Sequence, residues 1–170
     1  MSGTESRTVS GRPVWLGSGF RPFFFLAGLH ACLTTLLWVA AFSLQEPWLP
    51  VGVPGHFWHA HEMIFGYTSA VIAGFLLTTV ENWTGRTTIN GYPLLAFSLL
   101  WVAGRVSLFA AGDNGVFFVA LLNLLFLPVL LLIITPPVFR EKQWANLMVF
   151  SLLIVFWLSQ LTFYFAISRE

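Results

Sequence analysis

An all-α, polytopic transmembrane helix bundle of about five spans is the fold class that this sequence predicts. Of its 170 residues, 57% are apolar and only 9% are charged, with a mean hydropathy of +0.80, a composition foreign to soluble domains. Five apolar stretches each approach or exceed the roughly 20 residues that a helix needs to cross the hydrocarbon core. The net charge of +1, spread along a chain with no Lys/Arg-rich tract, gives no field for nucleic acid, which is excluded as a partner. The lipid bilayer is the predicted surrounding.

Residues 1–19 read as a cytoplasmic amino-terminal tail and residues 20–170 as the bundle. The first span, Phe20 to Leu44, is too long for a signal-peptide core, and its Ala40-Ala41 pair sits inside an uninterrupted apolar run, so it reads as a retained anchor. Its Cys32 is the chain's single cysteine, which rules out an intrachain disulfide and reads as a small packing residue. The proline-rich stretch Gln45 to Gly55 separates it from the second span, His59 to Val80. Polar residues from Asn82 to Gly91 precede the third span, Pro93 to Ala111. A short turn, Gly112 to Gly115, leads to the fourth span, Val116 to Thr135, which Pro136-Pro137 is expected to end. The fifth runs from Ala145 to Ile167. The two halves show no sequence repeat, so an inverted-repeat transporter core has no support.

Cytoplasmic loops retain Lys and Arg, which sets the orientation. With the amino terminus inside, Arg7, Arg12, Arg21, Arg86, Arg140 and Lys142 are cytoplasmic, Arg169 is outside, and Arg105 lies within the third span. That orientation places the segment from Gly55 to Met63, which holds three of the four histidines, at the outer face of the membrane. At about 1.5 Å per helical residue, Glu62 lies roughly 5 Å below the outer end of its span and Arg105 roughly 9 Å below that of its own. Asn123 and Gln160 fall about 10 Å deep by the same measure. Four spans thus place polar groups in one outer layer, with Glu62 and Arg105 the natural pair, since an intramembrane charge needs an inward-facing partner. Polar groups that merely tie helices together would produce the same pattern.

Imidazole, carboxylate and thioether in that segment point to metal or haem ligation. On a regular helix His59, Glu62 and Met63 share one face while His61 points about 160° away. His59 with Met63 suits copper, any single histidine suits haem iron, and two ligands do not complete a copper site. The metal candidates are therefore His59, His61, Glu62 and Met63. An interfacial structural role for the two histidines stays open, and His56 reads as a solvated loop residue. His30, about 15 Å into the first span, reads equally as a haem ligand or as a satisfied structural histidine. Gly66, Ala70 and Gly74 form a small-residue ridge that reads as close helix contact.

Several motifs in order carry a family resemblance: Gly19-Phe20-Arg21-Pro22-Phe23-Phe24, then Trp58-His59-Ala60-His61-Glu62-Met63-Ile64-Phe65-Gly66. Ala73-Gly74-Phe75-Leu76-Leu77-Thr78, Asn82-Trp83-Thr84-Gly85 and Trp101-Val102-Ala103-Gly104-Arg105 follow. With these the chain resembles the NnrS family, bacterial inner-membrane proteins that contain haem and copper and are associated with nitric oxide and denitrification. The resemblance implies haem and copper as cofactors, His59, His61, His30 and Arg105 as the residues around them, and nitric oxide as a ligand. It covers the amino-terminal part of a family with about twice as many spans, which implies a short paralogue, a fragment, or half of an assembly with a second membrane chain or another copy. Glu81 stands where proline commonly precedes Asn-Trp-Thr-Gly, and Gln160 and Tyr164 occupy positions that are often Asn and His, the tyrosine removing one possible ligand.

Three functions follow as expectations. The first is a haem- and copper-binding membrane protein of nitric oxide response or nitrosative-stress resistance, with Arg105 neutralising Glu62 or a haem propionate. A membrane redox enzyme acting on nitric oxide or quinone is the second, and no catalytic residue is assigned to it. The third is a transporter or assembly subunit without its own cofactor.

Overall fold

The computed structural model describes residues 14–44, 55–110, 115–142 and 144–167. Helix α1 spans Phe20–Leu44. Helix α2, Gly55–His61, runs through a π-helical segment, Glu62–Tyr67, into α3, Thr68–Thr84. Helices α4 (Gly91–Ala110), α5 (Val116–Arg140) and α6 (Leu147–Ile167) complete the order, and no strand occurs among the described residues. Five helical units are long and apolar enough to cross a membrane, with α2, the π segment and α3 forming one of 30 residues. The expected breaks at 45–54 and 111–114, and Arg7, Arg12 and Arg169, lie outside the described residues.

The first span has its expected limits; the second starts at Gly55 and ends at Thr84, longer at both ends than expected. Trp58 explains the early start: its ring is fully buried, so the first turn already faces the core. Gly85 explains the end, because its left-handed φ of 65° turns the chain while its N–H donates to the Glu81 carbonyl. Glu81 also folds the next loop back, accepting from the Thr88 N–H and hydroxyl at 2.9 and 3.1 Å.

Pro136-Pro137 does not end the fourth span. Helix α5 runs on to Arg140 with Pro128, Pro136 and Pro137 inside it. Membrane helices accommodate proline where side chains and local adjustment serve the freed carbonyls, and the Leu124 carbonyl, four residues before Pro128, accepts from the Trp157 indole N–H at 2.8 Å. Termination falls instead at Glu141 and Lys142, where Lys142 takes a φ of 51°.

Phe23, Phe97 and Phe126 form the centre of the core, bringing α1, α4 and α5 together with ring centroids 4.6 to 5.8 Å apart. Leu76, Leu77, Leu130 and Ile134 surround them without exposure. The Gly74 ridge works as expected: a β-carbon there would lie 3.2 Å from Phe23 Cβ, so α1 and α3 pack backbone to side chain. Gly19, ahead of α1, is closer still to its neighbour, where a β-carbon would lie 2.5 Å from Leu77 Cβ. Cys32 differs from its expected packing role and is exposed. Helix α6 is inverted relative to a soluble helix, since Gln160 and Tyr164 are on its buried side while Met148, Leu152 and Val155 face outward.

Candidate functional site

The π-helical segment sets up the site. Widening a helix from i+4 to i+5 bonding displaces carbonyls from their usual donors, and such segments persist only where other groups replace them. Here the Thr68 hydroxyl donates to the Met63 carbonyl at 3.1 Å. The Gly66 carbonyl accepts from the Ser69 hydroxyl at 2.9 Å and from the Trp101 indole N–H at 3.1 Å. Helix α4 therefore locks the widened turn in place through Trp101.

Glu62, the first residue of that segment, is the centre of a buried polar cluster. Its side chain is 1% exposed. His61 Nδ1 hydrogen-bonds Glu62 Oε1 at 2.8 Å, while His30 Nε2 from α1 and Arg105 Nε from α4 approach Oε2 at 3.2 and 3.5 Å. The last two are ion-pair distances without hydrogen-bond alignment, and His30 Nε2, Arg105 Nε and Arg105 Nη1 are buried without a hydrogen-bond partner. From α6, the Tyr164 hydroxyl lies 2.9 Å from His61 Nε2. Trp101 backs the cluster, edge-on to His30 with centroids 5.2 Å apart and under the Arg105 guanidinium at 5.5 Å. Gly66 is needed for this closeness. A β-carbon there would stand 2.5 Å from Arg105 Nη1 and 2.8 Å from His30 Nε2.

The expected Glu62–Arg105 pair is thus present, extended by two histidines and a tyrosine. Asn123 and Gln160 share the layer: both are buried, and with Arg105 they line one small cavity. Asn123 ties α5 to α4 by donating to the Gly104 carbonyl at 3.2 Å.

His59 and Met63 lie elsewhere, along the seam with α1. The His59 ring stacks on Trp38 at 4.8 Å, and its Nδ1 is buried with no partner. Met63 Sδ is 3.7 Å from the Thr34 hydroxyl. A regular helix would group His59, Glu62 and Met63 and set His61 apart; instead the Glu62 carboxylate bonds the His61 imidazole, and His59 and Met63 stay together on the α1 seam. The four metal candidates consequently divide between two places. Among the described residues no group of three or more His, Cys, Asp or Glu side chains is set to hold a metal ion. His56 is exposed, as a solvated residue would be.

The family model described as NnrS protein matches residues 14–170. The chain belongs to the NnrS family. No curated protein and no solved structure matches it. Two of the motifs that carry the sequence resemblance supply most of the cluster: Trp58 to Gly66 contains His61, Glu62 and Gly66, and Trp101 to Arg105 contains the indole and the guanidinium. Tyr164 is the participant that sequence reasoning treated as a lost ligand. Its position four residues beyond Gln160, on one helical face with it, was the available signal.

Proposed function

We propose that this NnrS protein acts in the bacterial inner membrane in the response to nitric oxide, as a haem- and copper-associated protein with its amino terminus in the cytoplasm. Family membership supports the nitric oxide association. The convergence of four spans on the buried Glu62 is the observation that carries a functional centre, since intramembrane charge is costly and marks function more often than packing.

The donors fit the cofactors unequally. His61 has both ring nitrogens engaged, and His30 Nε2 is pressed against Gly66 and Glu62, so neither has room for a macrocycle at the nitrogen facing the cluster. His59 would best hold the haem iron, because its Nδ1 is buried and unpartnered at the seam of α1 and α2. Met63, four residues on, gives copper a second donor on the same seam, and a complete shell requires further ligands. A bound haem supplies an iron centre that accepts nitric oxide. The chain's own residues orient and insulate: Trp38 holds the His59 ring, Tyr164 and Glu62 hold His61, and Arg105 compensates the Glu62 charge with His30 beside the same carboxylate oxygen. No catalytic turnover is assigned to this arrangement. The two-donor count favours, as the second reading, an assembly subunit whose site is completed by a second membrane chain.

Absorption spectra of the protein purified in mild detergent, with iron and copper quantified before and after anaerobic nitric oxide, test the proposal. Haem bands that shift with nitric oxide are expected, and His59→Ala should lose them while His61→Ala keeps them. A folded, colourless and metal-free wild type would replace the first reading with the second, and full occupancy in His59→Ala would remove that residue as the ligand.

A further inference from the structure

A basic recess of about 600 Å³ opens at the far end of the bundle from the cluster, where the α3–α4 loop meets the end of α5. Arg86, Thr87, Thr88, Ile133, Pro137 and Arg140 line it. Arg86 donates from Nε to Glu141 and Glu81 is held by Thr88, so Arg86, Arg140 and Lys142 against two carboxylates leave a single surplus positive charge at this end. Arg140 is exposed and forms no ion pair among the described residues. Acceptors accompany the cations. Pro136 and Pro137 have no N–H to return to the carbonyls of Leu132 and Ile133, four residues earlier, and Ile133 is on the recess wall.

The depth of the recess is marked by aromatic residues. Tyr92 at the start of α4 and Trp144 just before α6 are strongly exposed at this same end, as side chains of the membrane–water interface are. The exposed Leu132, one turn deeper than Pro136, continues an apolar wall toward the bilayer centre.

We propose that this recess binds the headgroup of an anionic phospholipid, with its phosphodiester on Arg140 and Arg86, a headgroup hydroxyl donating to a proline-freed carbonyl, and an acyl chain along Leu132. Guanidinium is the side chain best matched to phosphate oxygens, and basic pockets at helix ends on the cytoplasmic side are where such headgroups are held. One surplus charge matches a phosphodiester monoanion. Inorganic phosphate offers the same oxygens but has no chain for the apolar wall and no interfacial anchor.

The test uses the full chain, delipidated in a neutral detergent. Thermal unfolding and native mass spectrometry follow titration with phosphatidylglycerol, phosphatidylcholine or inorganic phosphate. Phosphatidylglycerol alone should raise the melting temperature and remain bound in the mass spectrum. Arg140→Gln should weaken that binding about tenfold, as expected for one charge-assisted contact, while Arg140→Lys keeps most of it. The wild-type lipid series stands even if a variant folds poorly. Equal stabilisation by phosphatidylcholine or by inorganic phosphate, or unchanged phosphatidylglycerol binding in a folded Arg140→Gln, would overturn the proposal.

Discussion

Glu62 and Glu141 are both carboxylates facing an arginine, at opposite ends of one bundle, and they answer to different physics. Glu62 is 1% exposed and meets Arg105, His30 and His61 inside four helices. Glu141 is 33% exposed, and its partner Arg86 is 52% exposed at the rim. In the interior, the ions have given up solvation, and removing one partner strands the other. At the rim, water competes with the pair and salt screens it. The same residue types therefore define the architecture at one end and adjust the surface at the other.

The largest effect expected from this contrast is at Arg105. Arg105→Leu with Glu62 retained should destabilise the bundle by about 3–5 kcal/mol, the usual cost of an uncompensated buried charge, measured by reversible unfolding in micelles. Adding Glu62→Gln should restore much of the loss; strictly additive effects in that cycle would show that the two do not interact directly. Next comes Gly66→Ala, where overpacking against Arg105 and His30 should cost about 1–3 kcal/mol. Gly28→Ala is its control, since nothing lies within 4 Å of a β-carbon there, and it should be neutral or stabilising. A similar loss at both glycines would mean that the Gly66 effect is not a matter of crowding. Tyr164→Phe should cost about 1 kcal/mol, the value of one buried hydrogen bond, and should move the imidazole nitrogen resonances of His61. Unmoved resonances would disconnect α6 from the cluster. Smallest is Arg86→Gln, which should change stability by about 0–1 kcal/mol; a loss comparable to that of Arg105→Leu would erase the distinction between the two ends.

Much of the architecture was legible because hydrophobic run length reports spans directly. The five spans, the shared polar layer of Glu62, Arg105, Asn123 and Gln160, and the close contact at Gly74 all follow from length, depth and side-chain size. Errors fell where local rules meet a tertiary environment. Pro136-Pro137 reads as a stop by intrinsic propensity, yet α5 continues through it. His61 reads as remote from Glu62 on an ideal helix, yet a π-helical turn and a bridging carboxylate join them. Tyr164 reads as a missing ligand, yet it completes the His61 hydrogen bonding from another span.

The amino-acid sequence by itself determined that this is a helical membrane bundle, which stretches cross, and which ionisable groups must be hidden from lipid, because transfer free energies act on each segment separately. It also sufficed to resemble the NnrS family, whose motifs are ordered along the chain. Only the tertiary structure decided which partners those groups have, separating His59 from His61 and enlisting His30 and Tyr164. The physical reason is that burying Glu62 has no favourable solution within one helix: its charge is compensated by Arg105 from α4 with His30 of α1 alongside, and the π-helical turn that presents it is tied to α4 through the Trp101 indole.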